Sequence, residues 1–328
     1  MKYYNVSRLR IRYAALLAAI AVFCCTAQAA ELPEKLTPLG IPAGIRSGMD
    51  GVTVAGVIGD DSPASQAGIT AGDVILALDG KPIRTAGDLA EDLSPEVPVK
   101  LTLRRENSTF DVTLTPASVD GSCRIGVWLR DSLLGIGTLT YYDPQSGCYG
   151  ALGHGISEQS KDTLISLGEG SVIPAEVTDL CRGAAGKPGE LHGKFHPEAP
   201  CGTCVSNTNG GVFGVLYESP VGDPIPVAHV EDIHAGDAEI LACVEGGTPK
   251  CYGIRILKAC CDERNFRDLL IQVTDAELIE AAGGIVQGMS GSPIIQDGKL
   301  IGAVTHVMVN DPTRGYGISI ENMLKAAG

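Results

Sequence analysis

Basic residues are scarce in this chain of 328 residues, and aromatic residues are scarcer still. The sequence has 25 Lys and Arg against 39 Asp and Glu, for a net charge of −14, and aromatic residues make up 5%. Nucleic-acid binding and electrostatic binding to an anionic membrane both need a basic surface, so the charge argues against either class. Hydrophobic residues at 44%, with 42 Gly and 19 Pro, argue against wholesale disorder and predict a turn-rich β protein.

Apolar runs long enough to span a membrane are absent after the N-terminal region. Residues 14–25 form a short apolar run, which Ala27-Gln28-Ala29 follows in the small-x-small pattern of a signal-peptidase site. The run is shorter than the ~20 residues that span a bilayer comfortably. We expect residues 1–29 to be a signal peptide that exports the protein, with an uncleaved N-terminal membrane anchor as the alternative. The basic residues before the run are Lys2, Arg8, Arg10 and Arg12.

Cysteine is plentiful, but its number does not fit complete pairing. There are 11 cysteines, and removing the two in the signal region leaves an odd number, so at least one thiol stays unpaired. Cys201 and Cys204 follow His192 and His196, a combination that zinc can bind, although no second Cys-x-x-Cys pair accompanies it. Disulfides, free thiols and zinc therefore all stay open. We expect the catalytic chemistry itself to use no metal and no other cofactor.

A helix-and-turn pattern occupies the first part of the chain. Ser62-Pro63-Ala64 is typical of a capped helix start, Gly68 ends that helix, and Gly72-Asp73 and Asp79-Gly80 bracket an apolar strand. This order resembles a PDZ domain of the bacterial protease-associated type over about residues 36–116. We place a linker and the PDZ domain at residues 30–117 and a second domain at residues 118–328.

The PDZ resemblance also implies a binding site. PDZ domains take an extended peptide as an added strand and hold its carboxylate with backbone amides. By order along the chain, the resemblance places this loop at Ala43, Gly44 and Ile45.

The second domain carries a serine motif and a histidine that suit nucleophilic catalysis. Residues 288–293 read Gly-Met-Ser-Gly-Ser-Pro, which is typical of the nucleophile loop of chymotrypsin-like serine proteases. Gly288 allows a turn that directs the amides of Gly288 and Ser290 at one spot, where they can hold an oxyanion. The hydroxyl of Ser290 needs a base. His154, between two glycines at the end of a strand, is the main candidate, and His306 is its rival.

The carboxylate that would orient the histidine cannot be chosen from the sequence pattern alone. Such a group fixes the tautomer of the base and stabilises its protonated form. Each candidate is equally well explained as a solvated loop acid. The candidates are Asp162, Asp179, Asp223, Asp232, Asp237 and Asp275.

Two longer segments, around His154 and around Ser290, resemble the stage IV sporulation protein B family of signalling serine peptidases. The first reads Gly-Ile-Gly-Thr-Leu-Thr-Tyr-Tyr-Asp-Pro and continues to Gly-Ala-Leu-Gly-His-Gly-Ile, and the second runs from Val286 to Gly317. The resemblance implies a mainly β chain, with a PDZ domain followed by a chymotrypsin-like double β-barrel. It assigns Ser290 as nucleophile, His154 as base and Asp275 as third member, with Thr305 as an alternative.

The same resemblance implies a biological role. Such peptidases are exported into the space between the forespore and mother-cell membranes, where they process themselves and cut the extracytoplasmic part of a membrane-bound regulatory complex. The result is activation of a late sigma factor in the mother cell. We expect self-cleavage in the polar stretch of residues 31–37, and we expect no nucleic-acid partner. The alternatives are a general envelope quality-control protease and a catalytically silent PDZ scaffold.

Overall fold

The computed structural model describes residues 32–46, 51–83, 86–106, 108–119, 122–130, 133–157, 163–165, 167, 170–259 and 266–328. The predicted signal peptide, Asp162 and two of the cysteines, Cys260 and Cys261, lie outside these residues. None of the helices in the described ranges is long and apolar enough to cross a membrane.

Strands make up most of the described chain. The strands are β1 (Lys35–Arg46), β2 (Val52–Val57), β3 (Val74–Leu78), β4 (Lys81–Pro82), β5 (Val99–Arg105), β6 (Ser108–Leu114), β7 (Ala117–Val119), β8 (Ser122–Arg124), β9 (Val127–Arg130), β10 (Leu133–Tyr142), β11 (Cys148–Ala151), β12 (Gly170–Cys181), β13 (Glu190–Phe195), β14 (Gly202–Thr208), β15 (Gly211–Leu216), β16 (Ile225–Pro226), β17 (Gly236–Ala242), β18 (Lys250–Ala259), β19 (Leu269–Val273), β20 (Pro293–Gln296), β21 (Lys299–Met308) and β22 (Asp311–Ser319). The helices are α1 (Pro63–Gln66), α2 (Ala86–Asp92), α3 (Ala276–Ala282) and α4 (Ile320–Ala327), with a 3₁₀ turn at Val230–Asp232.

Two six-stranded β-barrels form the larger part of the fold. In the first barrel, neighbouring strands follow the order β12-β14-β15-β11-β10-β1, and pairing of β1 with β12 closes the ring. In the second, β17-β18-β19-β22-β21-β20 closes through the pairing of β20 with β17. In strand β17, Ala238, Ile240 and Ala242 are buried while Asp237 and Glu239 are exposed. One face of the strand therefore packs in the barrel core and the other faces solvent. The predicted chymotrypsin-like double barrel is confirmed.

A separate five-strand sheet, in the order β6-β5-β3-β2-β9, forms the PDZ domain, with β4 pairing to β3. Ser62 caps α1 by accepting a hydrogen bond from the amide of Ser65, as the sequence pattern predicts. The completely buried carboxylate of Asp73 is neutralised by Arg105, whose Nε lies 2.7 Å from Oδ1. The predicted PDZ domain is therefore present.

The predicted boundaries of the PDZ domain, at residues 30–117, are wrong. Strand β1 belongs to the first barrel, since Gly44 pairs with Ile136 of β10 on one side and with Ile173 of β12 on the other. The PDZ domain is inserted after β1 and extends to β9, which pairs with β2 as the edge strand of the PDZ sheet. The helix-and-turn motif begins at Ser62, after β2, so it carries no information about which sheet β1 joins.

The predicted carboxylate-binding loop at Ala43, Gly44 and Ile45 is wrong for the same reason. All three residues lie in β1 and use their backbones in the barrel ladder, where Ala43 pairs with Gly137 and Ile45 pairs with Val172. Their amides are committed to interstrand pairing, so they cannot form a peptide cradle in the PDZ domain.

The corrected boundaries predict which fragment of the chain folds by itself. Residues 51–130 include β9 and the buried Ile125, which packs in the PDZ core, whereas residues 51–117 lack both. We expect the shorter fragment to be less stable by at least ~2 kcal/mol, because truncating one buried isoleucine already costs ~2–5 kcal/mol. Urea unfolding of the two purified fragments, followed by circular dichroism, measures the difference. Equal unfolding free energies would place β9 outside the PDZ domain.

Candidate active site

The nucleophile loop, residues 288–291, connects α3 to β20 and depends on two glycines with left-handed backbones. Gly288 has φ +100° and Gly291 has φ +97°. A Cβ at Gly291 would lie 2.1 Å from the carbonyl oxygen of Thr138, so only glycine lets this loop approach the first barrel so closely. Ser290 is thereby held where the two barrels meet.

Two amides of this loop are free to bind an oxyanion. The amides of Gln287, Met289, Gly291 and Ser292 donate to backbone carbonyls, whereas within the described chain no acceptor meets the amides of Gly288 or Ser290. Because a buried amide normally has a partner, this alternation is what a preformed oxyanion hole requires. It is the pair of amides that the motif predicts.

Thr138 of β10 fixes the orientation of the loop from the first barrel. Its amide donates to the carbonyl oxygen of Ser290 at 3.0 Å, and its hydroxyl donates to that of Gly288 at 2.9 Å. Its own carbonyl accepts from the amide of Leu152 at 3.1 Å, two residues before His154. Thr138 therefore links the serine loop and the histidine loop. The sequence patterns gave no signal for this role, because its partners are distant along the chain.

His154 follows β11, and its environment suits a general base. Its Nδ1 lies 2.9 Å from the carbonyl oxygen of Gly155. A carbonyl can only accept, so Nδ1 carries the proton and Nε2 keeps its lone pair. Burial lowers the pKa of His154 below its ordinary value, opposed by the hydrogen bond to Gly155, which favours the protonated ring. The imidazole is therefore neutral, as a base must be.

Ser290 and His154 line one cleft of about 300 Å³. The hydroxyl of Ser290 donates to the backbone carbonyl of Thr305 at 2.7 Å. For catalysis the hydroxyl must turn from this carbonyl toward His154, which is a rotation about a single side-chain torsion. The structure thus brings the predicted nucleophile and the predicted base to one site.

The rival base, His306, lies beside His154. The two ring centroids are 5.0 Å apart and the ring planes are inclined by 38°. Desolvation is the main cause that lowers the pKa of His306 to about 4, and positive charge on His154 and Arg267 lowers it further. Part of the His306 side chain is nevertheless exposed. Among the described residues, those lining the Ser290 cleft include His154 and do not include His306. This placement favours His154.

Asp275 lies at the start of α3, where its carboxylate serves the helix. Oδ1 accepts from the amide of Leu278 at 3.0 Å, and Oδ2 accepts from the amide of Gly253 at 3.3 Å. The amino-terminal cap of a helix is a common position for aspartate. In the described chain, no hydrogen bond joins Asp275 to His154.

The contacts of Thr305 place it closer to the catalytic residues than Asp275. Its methyl carbon is 3.0 Å from the point that a Cβ on Gly153 would occupy. Its hydroxyl is buried and has no hydrogen-bond partner within the described chain. A buried hydroxyl without a partner is costly, so this group is available for a hydrogen bond.

Two of the other candidate aspartates form ion pairs on the surface, and two more are exposed. Asp232 pairs with Lys299 at 2.9 Å, and Asp237 pairs with Arg255 at 2.8 Å. Asp179 and Asp223 are exposed.

The residues considered for zinc each have a different neighbour. Nε2 of His192 lies 3.4 Å from Sγ of Cys181, and Nδ1 of His196 lies 3.3 Å from Glu198. The thiol of Cys201 donates to the carbonyl of Val172, and Cys204 contacts the hydroxyl of Tyr149 at 3.2 Å. Over the residues that the structure describes, no three His, Cys, Asp or Glu side chains are grouped as metal ligands.

Asn207, at the end of β14, holds the loop that follows His154. Its Oδ1 accepts from the amide of Ile156 at 2.9 Å, and its Nδ2 donates to the carbonyls of Ile156 and Ile165, each at 2.8 Å. The backbone at Ile156 is therefore held in place, and with it the Gly155 carbonyl that binds His154. Sequence patterns missed this residue because one asparagine in a polar strand has no distinctive spacing.

We expect Asn207→Ala to lower kcat by about tenfold or more. The substitution leaves the amide of Ile156 and the carbonyl of Ile165 without partners, while the Ile156 carbonyl still accepts from the Ile165 amide. Each lost partner of a buried group costs about 1–3 kcal/mol, and the backbone beside His154 loosens. Steady-state kinetics on a short peptide and thermal unfolding measure the two effects. Asn310→Ala, at an exposed turn, is the matched control. Unchanged kcat in Asn207→Ala would show that the loop does not position the base.

The lowered pKa of His154 predicts where activity is lost in acid. Because burial disfavours the protonated ring, the neutral base persists to lower pH, and the acid limb of kcat/KM should lie below 6.5. His306→Gln should leave this limb in place, since His306, with a pKa of about 4, is already neutral there. An acid limb above pH 7 would contradict the assignment of His154 as a buried base.

Curated relatives match only short stretches of this chain. A putative zinc metalloprotease of Rhizobium meliloti is 33% identical over 87 residues, which are 26% of this chain and 23% of that protein. Serine protease HTRA1 of Xenopus laevis is 28% identical over 60 residues, 18% of this chain and 13% of its own length. The chain thus spans less than a quarter of the length of either relative.

Among solved structures, the Rv3671c protease from M. tuberculosis in its active form is 16% identical, with a TM-score of 0.37, covering 59% of this chain and 72% of that one. The PDZ domain of the SdrC-like protein from Listeria monocytogenes is 25% identical, with a TM-score of 0.23, covering 24% of this chain and 87% of that one.

Two family models match the chain over longer segments. A PDZ-domain model matches residues 54–105, from β2 to the end of β5. The model described as SpoIVB peptidase S55 matches residues 121–324, more than half of the chain, and its range includes His154, Ser290 and Thr305. The chain is therefore a serine peptidase with a PDZ domain, and it belongs to the SpoIVB peptidase S55 family.

Proposed function

We propose that this chain is an exported signalling serine endopeptidase of sporulation. In this proposal it processes itself and cleaves the extracytoplasmic part of a membrane-bound regulatory complex, which leads to activation of a late sigma factor in the mother cell. The observation that carries the proposal is the S55 family match over residues 121–324, with Ser290 and His154 on one cleft. Export rests on the signal pattern in residues 1–29.

The geometry of the cleft supports an acyl-enzyme mechanism. His154 Nε2 takes the proton of Ser290 as its oxygen attacks the scissile carbonyl, and the amides of Gly288 and Ser290 hold the oxyanion. The protonated His154 then gives its proton to the departing amine. Water attacks the acyl-enzyme in the second half of the reaction, and His154 again acts as the base.

Thr305 is the better-supported third member of the site. The carboxylate of Asp275 already binds two backbone amides, whereas the Thr305 hydroxyl is buried without a partner beside Gly153. In this proposal, Nδ1 of His154 donates to this hydroxyl during catalysis in place of the Gly155 carbonyl. Asp275 would then contribute through the position of α3 rather than through contact.

The PDZ domain is proposed to select the substrate. With the predicted cradle in β1 excluded, a peptide strand would add to β9, the outermost strand of the PDZ sheet, along the edge that pairs with no other described strand. The turn before β9 is anchored to the domain, since the carbonyl of Gly126 accepts from Ile58 and that of Ile125 accepts from Ala64, each at 2.8 Å.

Two conservative substitutions separate the candidates for the third member. Asp275→Asn keeps the helix cap, because asparagine caps helices as well as aspartate does. Thr305→Val keeps the shape and removes only an unpartnered hydroxyl, so stability should not fall. We expect Thr305→Val to lower kcat by about tenfold or more and Asp275→Asn to change it by less than about threefold. The opposite ranking, in kinetics at equal thermal stability, would return the role to Asp275.

Self-processing has a restricted location. Strand β1 begins at Lys35, and Leu36 is completely buried, so the predicted stretch of residues 31–37 can be cut without unfolding only before Lys35. N-terminal sequencing of the wild type should show a terminus there that Ser290→Ala lacks. Ser292→Ala is the matched control, because its buried hydroxyl has no partner within the described chain. Identical termini in the wild type and Ser290→Ala would contradict self-processing.

A further inference from the structure

The cleft beside Ser290 is walled by aliphatic side chains. Ile45, Ile136, Leu152 and Ile156 line it, together with Ser157, Gln287 and the residues of the catalytic site. His154 is the one ionisable side chain among the described lining residues, and burial keeps it neutral. A charged side chain entering this cleft would lose water and meet no opposite charge among the described lining residues, which is unfavourable, whereas an aliphatic one would gain apolar contact.

The position of His154 indicates which half of the substrate this wall contacts. In acyl transfer, the protonated base gives its proton to the leaving amine. The chain on either side of the base therefore flanks the leaving group, and here that chain supplies Leu152 and Ile156. The aliphatic wall thus faces the residue that follows the scissile bond.

The residues of the wall pack against one another and against the catalytic loops. Leu152 packs directly over Gly137, where its Cδ2 occupies the place that a Cβ on Gly137 would take. Asn207 fixes the backbone of Ile156. Ile136 lies against the nucleophile loop, its Cγ2 3.2 Å from the point that a Cβ on Gly288 would occupy. Ile136 is only half-buried, so it presents surface to a substrate.

We propose that this cleft is the subsite for the residue following the scissile bond, that it selects an uncharged aliphatic side chain, and that Ile136 determines this selectivity. The inference rests on the proposed serine peptidase mechanism and extends it to a class of cleavage site. Substrates of this chain should carry residues such as valine or leucine directly after the bond that is cut.

Acyl transfer tests the leaving-group side alone. A common activated peptide ester acylates Ser290, and an amino-acid amide then competes with water for the acyl-enzyme. The amine nitrogen bonds to the acyl carbon, the carbon–oxygen bond to Ser290 breaks, and the amine proton passes through His154 to the serine oxygen. Because every reaction shares one acyl-enzyme, the ratio of aminolysis to hydrolysis reports only how the added amine binds.

We expect valine amide and leucine amide to be used at least about tenfold better than lysine amide or aspartate amide, the size of discrimination that apolar pockets reach. Ile136→Ala should reduce this preference, and Ile136→Asp should shift it toward lysine amide. Val205→Ala, at a highly exposed apolar residue outside the cleft lining, should leave it unchanged. Equal use of all four amides by the wild type, or an unaltered preference in Ile136→Ala, would overturn the proposal.

The experiment separates this inference from the proposed function. The burst of alcohol released from the ester counts acylated sites in each variant. If the wild type releases no alcohol from the ester beyond what Ser290→Ala releases, the serine peptidase mechanism fails. If it shows a full burst without preference among the amides, only the subsite fails. If both Ile136 variants misfold and show no burst, the preference of the wild type among the four amides still decides whether the cleft is an aliphatic subsite.

Discussion

The catalytic arrangement depends on the contact between Thr138 and the nucleophile loop. Three backbone or hydroxyl groups of this one residue bind Gly288, Ser290 and Leu152, so it connects the loop before β20 to the loop after β11. The approach is possible because Gly291 has no side chain facing the Thr138 carbonyl. With the loop carbonyls held in this way, the amides of Gly288 and Ser290 keep no internal acceptor within the described chain, and Ser290 shares a cleft with His154.

The insertion of the PDZ domain connects this domain to the catalytic site through the covalent chain. The chain leaves the first barrel at Arg46 and returns at Leu133, and these two residues face each other at the end of the β1–β10 pairing. Ile45 and Ile136, next to that end, form one wall of the catalytic cleft. The same short stretch of paired strand therefore carries the inserted domain and borders the catalytic cleft. A PDZ domain attached in tandem would have no such connection.

The sequence motifs correctly predicted the local backbone features that they require. Glycines around Ser290 and His154 identify the catalytic loops, and Ser62-Pro63 identifies a capped helix, because each pattern states a nearby backbone requirement. The membership of β1 in the barrel was missed, since an alternating apolar strand does not specify its partner sheet. Thr138 and Asn207 were missed because they act through residues far along the chain. For Asp275, the apolar helical run after it was an available signal for a helix cap.

Labelling with a fluorophosphonate tests the central claim, that the two barrels bring Ser290 and His154 together as nucleophile and base. The reagent phosphonylates an activated serine, and mass spectrometry of the digested protein locates the adduct. We expect one adduct on Ser290 in the wild type and in Ser292→Ala, and a rate of labelling lowered by at least about a hundredfold in His154→Ala, since general-base catalysis contributes ~10²–10⁴-fold. An adduct on another serine, or labelling of Ser290 at the same rate without His154, would contradict it.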